Sequence, residues 1–76
     1  MAMIKVVCAG TDRAEALRLA DAFRARVIDA TTESFVFELT GATEKLDAFI
    51  ALMRPIGLAE VSRTGVAAIA RGTRTL

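Results

Sequence analysis

Ser34-Phe35-Val36-Phe37-Glu38-Leu39-Thr40, then Gly41-Ala42-Thr43, then Glu44 to Met53 with Leu46, Phe49, Ile50 and Met53 spaced by three, one and three, is the stretch that decides the fold. Phe35, Phe37 and Leu39 alternate with Val36 and Glu38, the period of two expected of a strand with one face on a core. Gly41 stops that strand. Thr43 is the best-placed N-cap and Glu44 suits the first turn of a helix. The spacing of Leu46, Phe49, Ile50 and Met53 then puts all four on one side of that helix. Pro55 disfavours helical geometry at Arg54, and Gly57 marks the stop. Within some 25 residues the period changes from that of a strand to that of a helix.

Working backwards, Thr31-Thr32-Glu33 is a short polar link to a second extended run, Arg26-Val27-Ile28-Asp29-Ala30, so the two strands form a hairpin. Arg13 to Ala25 reads as a helix with Ala16, Leu19, Ala20 and Phe23 as its apolar stripe. Glu15/Arg18 and Asp21/Arg24 are i,i+3 pairs on its solvated face. Gly10-Thr11-Asp12 supplies a turn and a helix start. The opening stretch, Met3 to Ala9, is a strand with Ile4, Val6 and Cys8 on one face and Lys5 and Val7 on the other. Working forwards, Leu58-Ala59-Glu60-Val61-Ser62 and Val66-Ala67-Ala68-Ile69-Ala70 read as one long strand bent or bulged at Gly65, with a loose tail from Thr73 to Leu76.

The order is β-α-β-β-α-β, which predicts a ferredoxin-like α+β domain: four antiparallel strands with two helices on one face. Right-handed crossovers put the first and third strands in the centre and the second and fourth at the edges. On that reading the open sheet face carries Lys5, Val7, Val36 and Glu38, and is half apolar. That face, or an edge strand, is the expected surface for association.

The composition excludes more than it assigns. Seventy-six residues make one domain, and 54% of them are hydrophobic with a mean hydropathy of +0.46. A chain this short buries about 60% of its unfolded surface, and small domains commonly make up the deficit with disulfides, a metal or a partner. One cysteine forms no internal disulfide and there is no histidine, so association is what remains, and a homo-oligomer is expected. Ten basic against nine acidic residues give a net charge of +1, too balanced for a general nucleic-acid binder. No apolar run approaches the roughly 20 residues of a membrane span, and the N-terminus lacks the features of a signal peptide. A lone thiol flanked by apolar residues suits a reducing cytoplasm.

Catalytic constellations are hard to assemble from this inventory. Cys8 has no histidine to activate it and reads as a small core residue. Lys5 and Lys45 read as surface lysines, and Asp29 and Glu33 flank a hairpin turn where polar residues are ordinary. No phosphate-binding glycine motif is present. The strand order is shared with RNA-recognition modules, which stack bases on aromatics of the open sheet face. Here Phe35 and Phe37 share a face with Leu39, the face assigned to the core. The C-terminal end stands out more: Arg63, Arg71 and Arg74 follow with no acid after Glu60.

Those same residues carry a family resemblance. Val27-Ile28-Asp29, Gly41 with Lys45-Leu46-Asp47-Ala48-Phe49, and Glu60-Val61-Ser62-Arg63-Thr64-Gly65 ending in Ala70-Arg71-Gly72 resemble the C-terminal half of the small regulatory subunit of acetohydroxyacid synthase (acetolactate synthase). Met3-Ile4-Lys5-Val6 and Ala22-Phe23-Arg24-Ala25 fit the first strand and the end of the first helix in that family. The resemblance implies an ACT-like ferredoxin fold and a subunit of two parts. In such a subunit an N-terminal ACT domain holds a branched-chain amino acid effector, and the C-terminal domain helps transmit inhibition to a thiamine-diphosphate-dependent catalytic subunit. This sequence matches the second part alone and begins within its first strand, as a domain excised from a longer subunit would. Effector-binding residues are therefore not carried over, and the family supplies no catalytic residue.

The resulting expectation is a single domain over residues 1–76 that is not an enzyme and binds no cofactor or metal. It would regulate acetolactate synthase in branched-chain amino acid biosynthesis by contact with the catalytic subunit. Arg63, Gly65, Arg71 and Gly72 are the expected contact residues, because a guanidinium suits a partner carboxylate and glycine permits close backbone approach. The rival expectation is a free-standing ACT-like amino-acid binder with its ligand at a dimer interface, for which Gly10-Thr11-Asp12 is the one candidate headgroup loop.

Overall fold

The computed structural model describes residues 1–63. Six elements follow in the expected order: β1 (Ala2–Val7), α1 (Thr11–Ala22), β2 (Arg26–Ala30), β3 (Ser34–Leu39), α2 (Thr43–Gly57) and β4 (Leu58–Ser62). The sheet order is β2-β3-β1-β4 with every neighbour antiparallel, the ferredoxin-like arrangement.

β1 and β3 pair without interruption from Ala2 opposite Leu39 to Val7 opposite Ser34. Side chains alternate across a strand, so Ile4, Val6, Phe35, Phe37 and Leu39 all face the helices, and none is more than 4% exposed. Leu46, Phe49, Ile50 and Met53 of α2 and Ala16, Leu19 and Ala20 of α1 close the core from above. Phe37 and Phe49 meet edge to face at 5.8 Å and Phe49 meets Phe23 at 5.3 Å, so aromatic contacts tie the sheet to both helices. Cys8 is in this core, as its place on the strand predicts.

Several boundaries differ from the sequence reading, each for a local reason. α1 starts at Thr11 rather than Arg13, because Gly10 itself is the N-cap and Thr11 and Asp12 fall inside the first turn. It ends at Ala22 rather than Ala25 in a Schellman turn: Ala25 N–H bonds Ala20 O and Arg24 N–H bonds Asp21 O. Arg24 leaves the helix there with φ 60°, and it makes no ion pair with Asp21. The Glu15/Arg18 pair does form. α2 begins after Ala42 as N-cap, with Thr43 already helical, and it runs through Pro55 to Gly57. Pro55 and Ala51, the residue four back, both lie on the solvent side. A helix tolerates a missing bond best on that side, where the freed carbonyl can tilt towards water.

Both edge strands carry bulges. Ile28 is an extra residue of β2, since Val27 faces Phe37 and Asp29 faces Val36. Ala59 is an extra residue of β4, between Leu58 opposite Val6 and Glu60 opposite Lys5. Gly65, where the sequence reading placed a bulge, lies outside the described residues, as do the strand continuation over 66–70 and the tail.

The sheet face away from the helices corrects a larger expectation. Lys5 is fully buried, Val36 is 5% exposed and Ser34 2%, while Val7 and Glu38 are half-buried. Lys5 is therefore not a surface lysine, and this face is not an open apolar surface. Its centre lies on the two inner strands, where Lys5 sits between Val36 on one side and Glu60 on the other.

Two substitutions test this account of the turns. Gly57 closes α2 at φ 148°, and a Cβ there would lie 1.9 Å from the carbonyl oxygen of Val7. Gly57→Ala must push α2 off the end of β1, and a loss of roughly 3 kcal/mol or more, enough to leave a small domain largely unfolded, is expected in urea denaturation. Arg24→Gly should act the other way. A left-handed residue other than glycine costs roughly 1–2 kcal/mol, partly offset by the extra freedom of glycine in the unfolded chain. A net gain of about 1 kcal/mol corresponds to a rise of roughly 4–8 °C in Tm by calorimetry.

Candidate functional site

The C-terminal end of the described chain is where the sequence pointed, and it is assembled from β4 and α2. Among the described residues β4 is an edge strand, joined to β1 along one side. Beyond Ser62, Arg63 turns towards α2 and its Nη2 donates to Oδ1 of Asp47. The two side chains are 44% and 57% exposed, so water and salt screen the pair and its contribution is about 1 kcal/mol or less. Arg63 thus has a partner within its own chain. Gly65, Arg71 and Gly72 lie outside the described residues, so of the four expected contact residues the structure describes Arg63 alone.

Asp47 is the residue that sequence reasoning passed over. It is an exposed acid on a helix, and nothing local distinguishes it from Glu44. What sets it apart is the sixteen-residue separation from Arg63 that the β4 return closes. Glu60 was likewise read only as an acid preceding a basic end. It stands opposite the buried Lys5, and its Oε1 is buried without a hydrogen-bond partner among the described residues. At the other edge Arg26 Nη1 reaches Glu38 Oε1 at 3.3 Å, the cross-strand pair that their register dictates.

Other candidate groups resolve into structural roles. Asp12 lies in the first turn of α1, and the Gly10-Thr11-Asp12 segment is a helix start with no side-chain cap. Arg13 lays its guanidinium over the Phe35 ring at 4.0 Å from the centroid, and its Nη1 is buried without a hydrogen-bond partner among the described residues. Phe35 and Phe37 stack on each other at 5.4 Å within the core, so they offer no platform for bases. Among the described residues no group of acids and cysteine is arranged to hold a metal ion, and no helix is long and apolar enough to cross a membrane.

Residues 1–72 match the family described as the small subunit of acetolactate synthase. The chain belongs to that family. It is 43% identical over 74 residues to the acetolactate synthase small subunit of Bacillus subtilis (strain 168), covering 97% of this chain and 43% of that protein. It is 38% identical over 77 residues to the probable acetolactate synthase small subunit of Methanothermobacter thermautotrophicus, covering 100% of this chain and 46% of that one. Among solved structures, the acetolactate synthase small subunit from Thermotoga maritima superposes with a TM-score of 0.73 at 36% identity, over 80% of this chain and 37% of the other. The chain spans less than half the length of the relatives it matches. These relatives are small subunits, in keeping with the resemblance carried by residues 27–29, 45–49 and 60–72.

The burial of Cys8 is directly testable. Burial pushes its thiol above the ordinary value of 9.0, with nearby Arg13 opposing the shift and Asp12 adding to it. A raised thiol pKa keeps the neutral form to higher pH, so the native chain should react with a disulfide reagent at pH 8 more slowly than the urea-unfolded chain. The same shift makes the folded state lose stability as pH rises above the unfolded thiol's pKa, a loss that is complete once the folded pKa is passed. Reaction at the unfolded rate under native conditions would remove Cys8 from the core.

Proposed function

We propose that this chain is a non-catalytic regulatory domain of acetolactate synthase, corresponding over residues 1–76 to the C-terminal part of the small subunit. It acts in the cytoplasm, in branched-chain amino acid biosynthesis, by binding the thiamine-diphosphate-dependent catalytic subunit and relaying feedback control to it. The observation that carries this reading is the match of residues 1–72 to the small-subunit family, at 43% identity to the Bacillus subtilis relative. The residue inventory agrees: with no histidine and a single buried cysteine, the chain is equipped for contacts rather than for acid–base or nucleophilic chemistry.

The docking residues follow from the basic end. Arg71, with Gly72 beside it, offers a fork that pairs with a partner carboxylate, and Gly65 allows the chain to approach a partner's backbone closely. Arg63 contributes from the end of β4, where its bond to Asp47 orients the guanidinium. The domain also associates with itself, since a 76-residue chain with 54% hydrophobic residues has little surplus core to stand on.

The test is size-exclusion chromatography with light scattering, run on the chain with the catalytic subunit of its source organism. Wild type should shift into the synthase peak, and Arg71→Ala should weaken that association about tenfold or more, as loss of a charged hydrogen-bonded contact does, with the melting curve unchanged. Separate elution of wild type would refute direct docking, and undiminished binding by Arg71→Ala would remove that residue from the surface.

A further inference from the structure

The outer surface of α2 carries a second helical stripe that the core does not use. Ala48, Ala51, Leu52 and Pro55 recur at spacings of three, one and three, all four are exposed, and Leu52 is 42% exposed. At about 100° per residue they lie diametrically across the helix from Leu46, Phe49, Ile50 and Met53. Asp47 and Arg54 stand two turns apart and therefore share one flank of this stripe. Asp47 meets Arg63 through Oδ1, while Arg54 makes no ion pair among the described residues.

We propose that this stripe is where two copies of the chain associate, α2 against α2 in antiparallel fashion about a two-fold axis near Ala51. This rests on the self-association proposed above, and names a helix face for it in place of the sheet face. A two-fold axis across an antiparallel helix pair reverses the helix direction but keeps each flank on its own side. With the axis midway between Asp47 and Arg54, Asp47 of each copy comes level with Arg54 of the other, and the complementary pair forms twice. Ala48 and Ala51 let the helices approach to about 8 Å, the close end of helix packing. Four side chains bury less than the roughly 800 Å² per partner of a standard interface, so the dimer is weak and depends on concentration. Exposed Leu17 and Val61 stand singly on α1 and β4, and the competing pair of apolar side chains is at the β2 edge, with Val27 46% and Ile28 38% exposed. There a bulge interrupts the edge, and two-fold pairing about Ile28 sets Val27 opposite Asp29 with no charge match.

Sedimentation equilibrium of the 76-residue chain, from micromolar to millimolar, tests the proposal. Wild type is expected to dimerise, and Leu52→Glu to raise the dissociation constant at least about tenfold with an unchanged melting curve. Arg54→Asp and Asp47→Arg should each weaken self-association, because each sets like charges together twice. An equimolar mixture of the two should dimerise again, since both pairs are then complementary. A dimer indifferent to all three substitutions would leave self-association standing and overturn this surface for it. A wild-type monomer at every concentration would overturn both. If that monomer binds the catalytic subunit and Leu52→Glu abolishes the binding, the stripe belongs to that partner and the second-copy proposal fails.

Discussion

The β1–β3 ladder is the constraint on which the rest of this domain depends. Its six uninterrupted residue pairs put Ile4, Val6, Phe35, Phe37 and Leu39 on one face in a single phase. Because the side-chain period of a strand is two, slipping that register by one residue would turn the whole apolar set of the slipped strand away from the helices. Both edge strands attach to this pair, and both do so through a bulge, so irregularity is confined to the margins. α2 is referenced to the same ladder at two points. Phe49 meets Phe37 from above, and Gly57 is pressed against the Val7 carbonyl at the strand's end.

That frame explains how charge is distributed. On the helix side a charged group enters only at the margin, where Arg13 lays its guanidinium over the Phe35 ring. On the other side of the same strands Lys5 is buried opposite Glu60, and Arg26 pairs with Glu38 across the β2–β3 register. The sheet's second face is thus a register-defined surface whose central members are buried, unlike the open half-apolar patch inferred from residue types alone. Exposed apolar side chains occur elsewhere, on the outer side of α2 and at the β2 edge. If the chain acts through contacts, as proposed, that shift of exposed apolar surface from sheet to helix changes where a partner would sit.

Much of the fold was legible because its signals are local and redundant. Phe35, Phe37 and Leu39 state a period of two, and Leu46, Phe49, Ile50 and Met53 state a helical one, within a few residues of each other. The ends were less legible because turn energetics are non-local here. Pro55 normally stops a helix, yet α2 continues because the lost bond falls on its solvent side. Arg24 occupies a left-handed position where glycine is usual, and the Schellman bonds together with the packing of Ala25 on the core hold it there. The candidate site was legible as a basic end after Glu60 and as a family pattern. Asp47 was invisible as the partner of Arg63, since no local rule links residues so far apart in the chain.

The sequence by itself determined the six elements, their order, which stripe of β1, α1, β3 and α2 enters the core, and membership of the acetolactate synthase small-subunit family. These properties are written in spacing and residue type, and spacing maps directly onto a helix face or a strand face. Tertiary structure alone decided that Lys5 is buried, that Arg63 is held by Asp47, and that Ile28 and Ala59 interrupt the edges. Each of those depends on which strand lies beside which and in what register. That is settled only when the chain closes on itself and side chains distant in sequence compete for the same space.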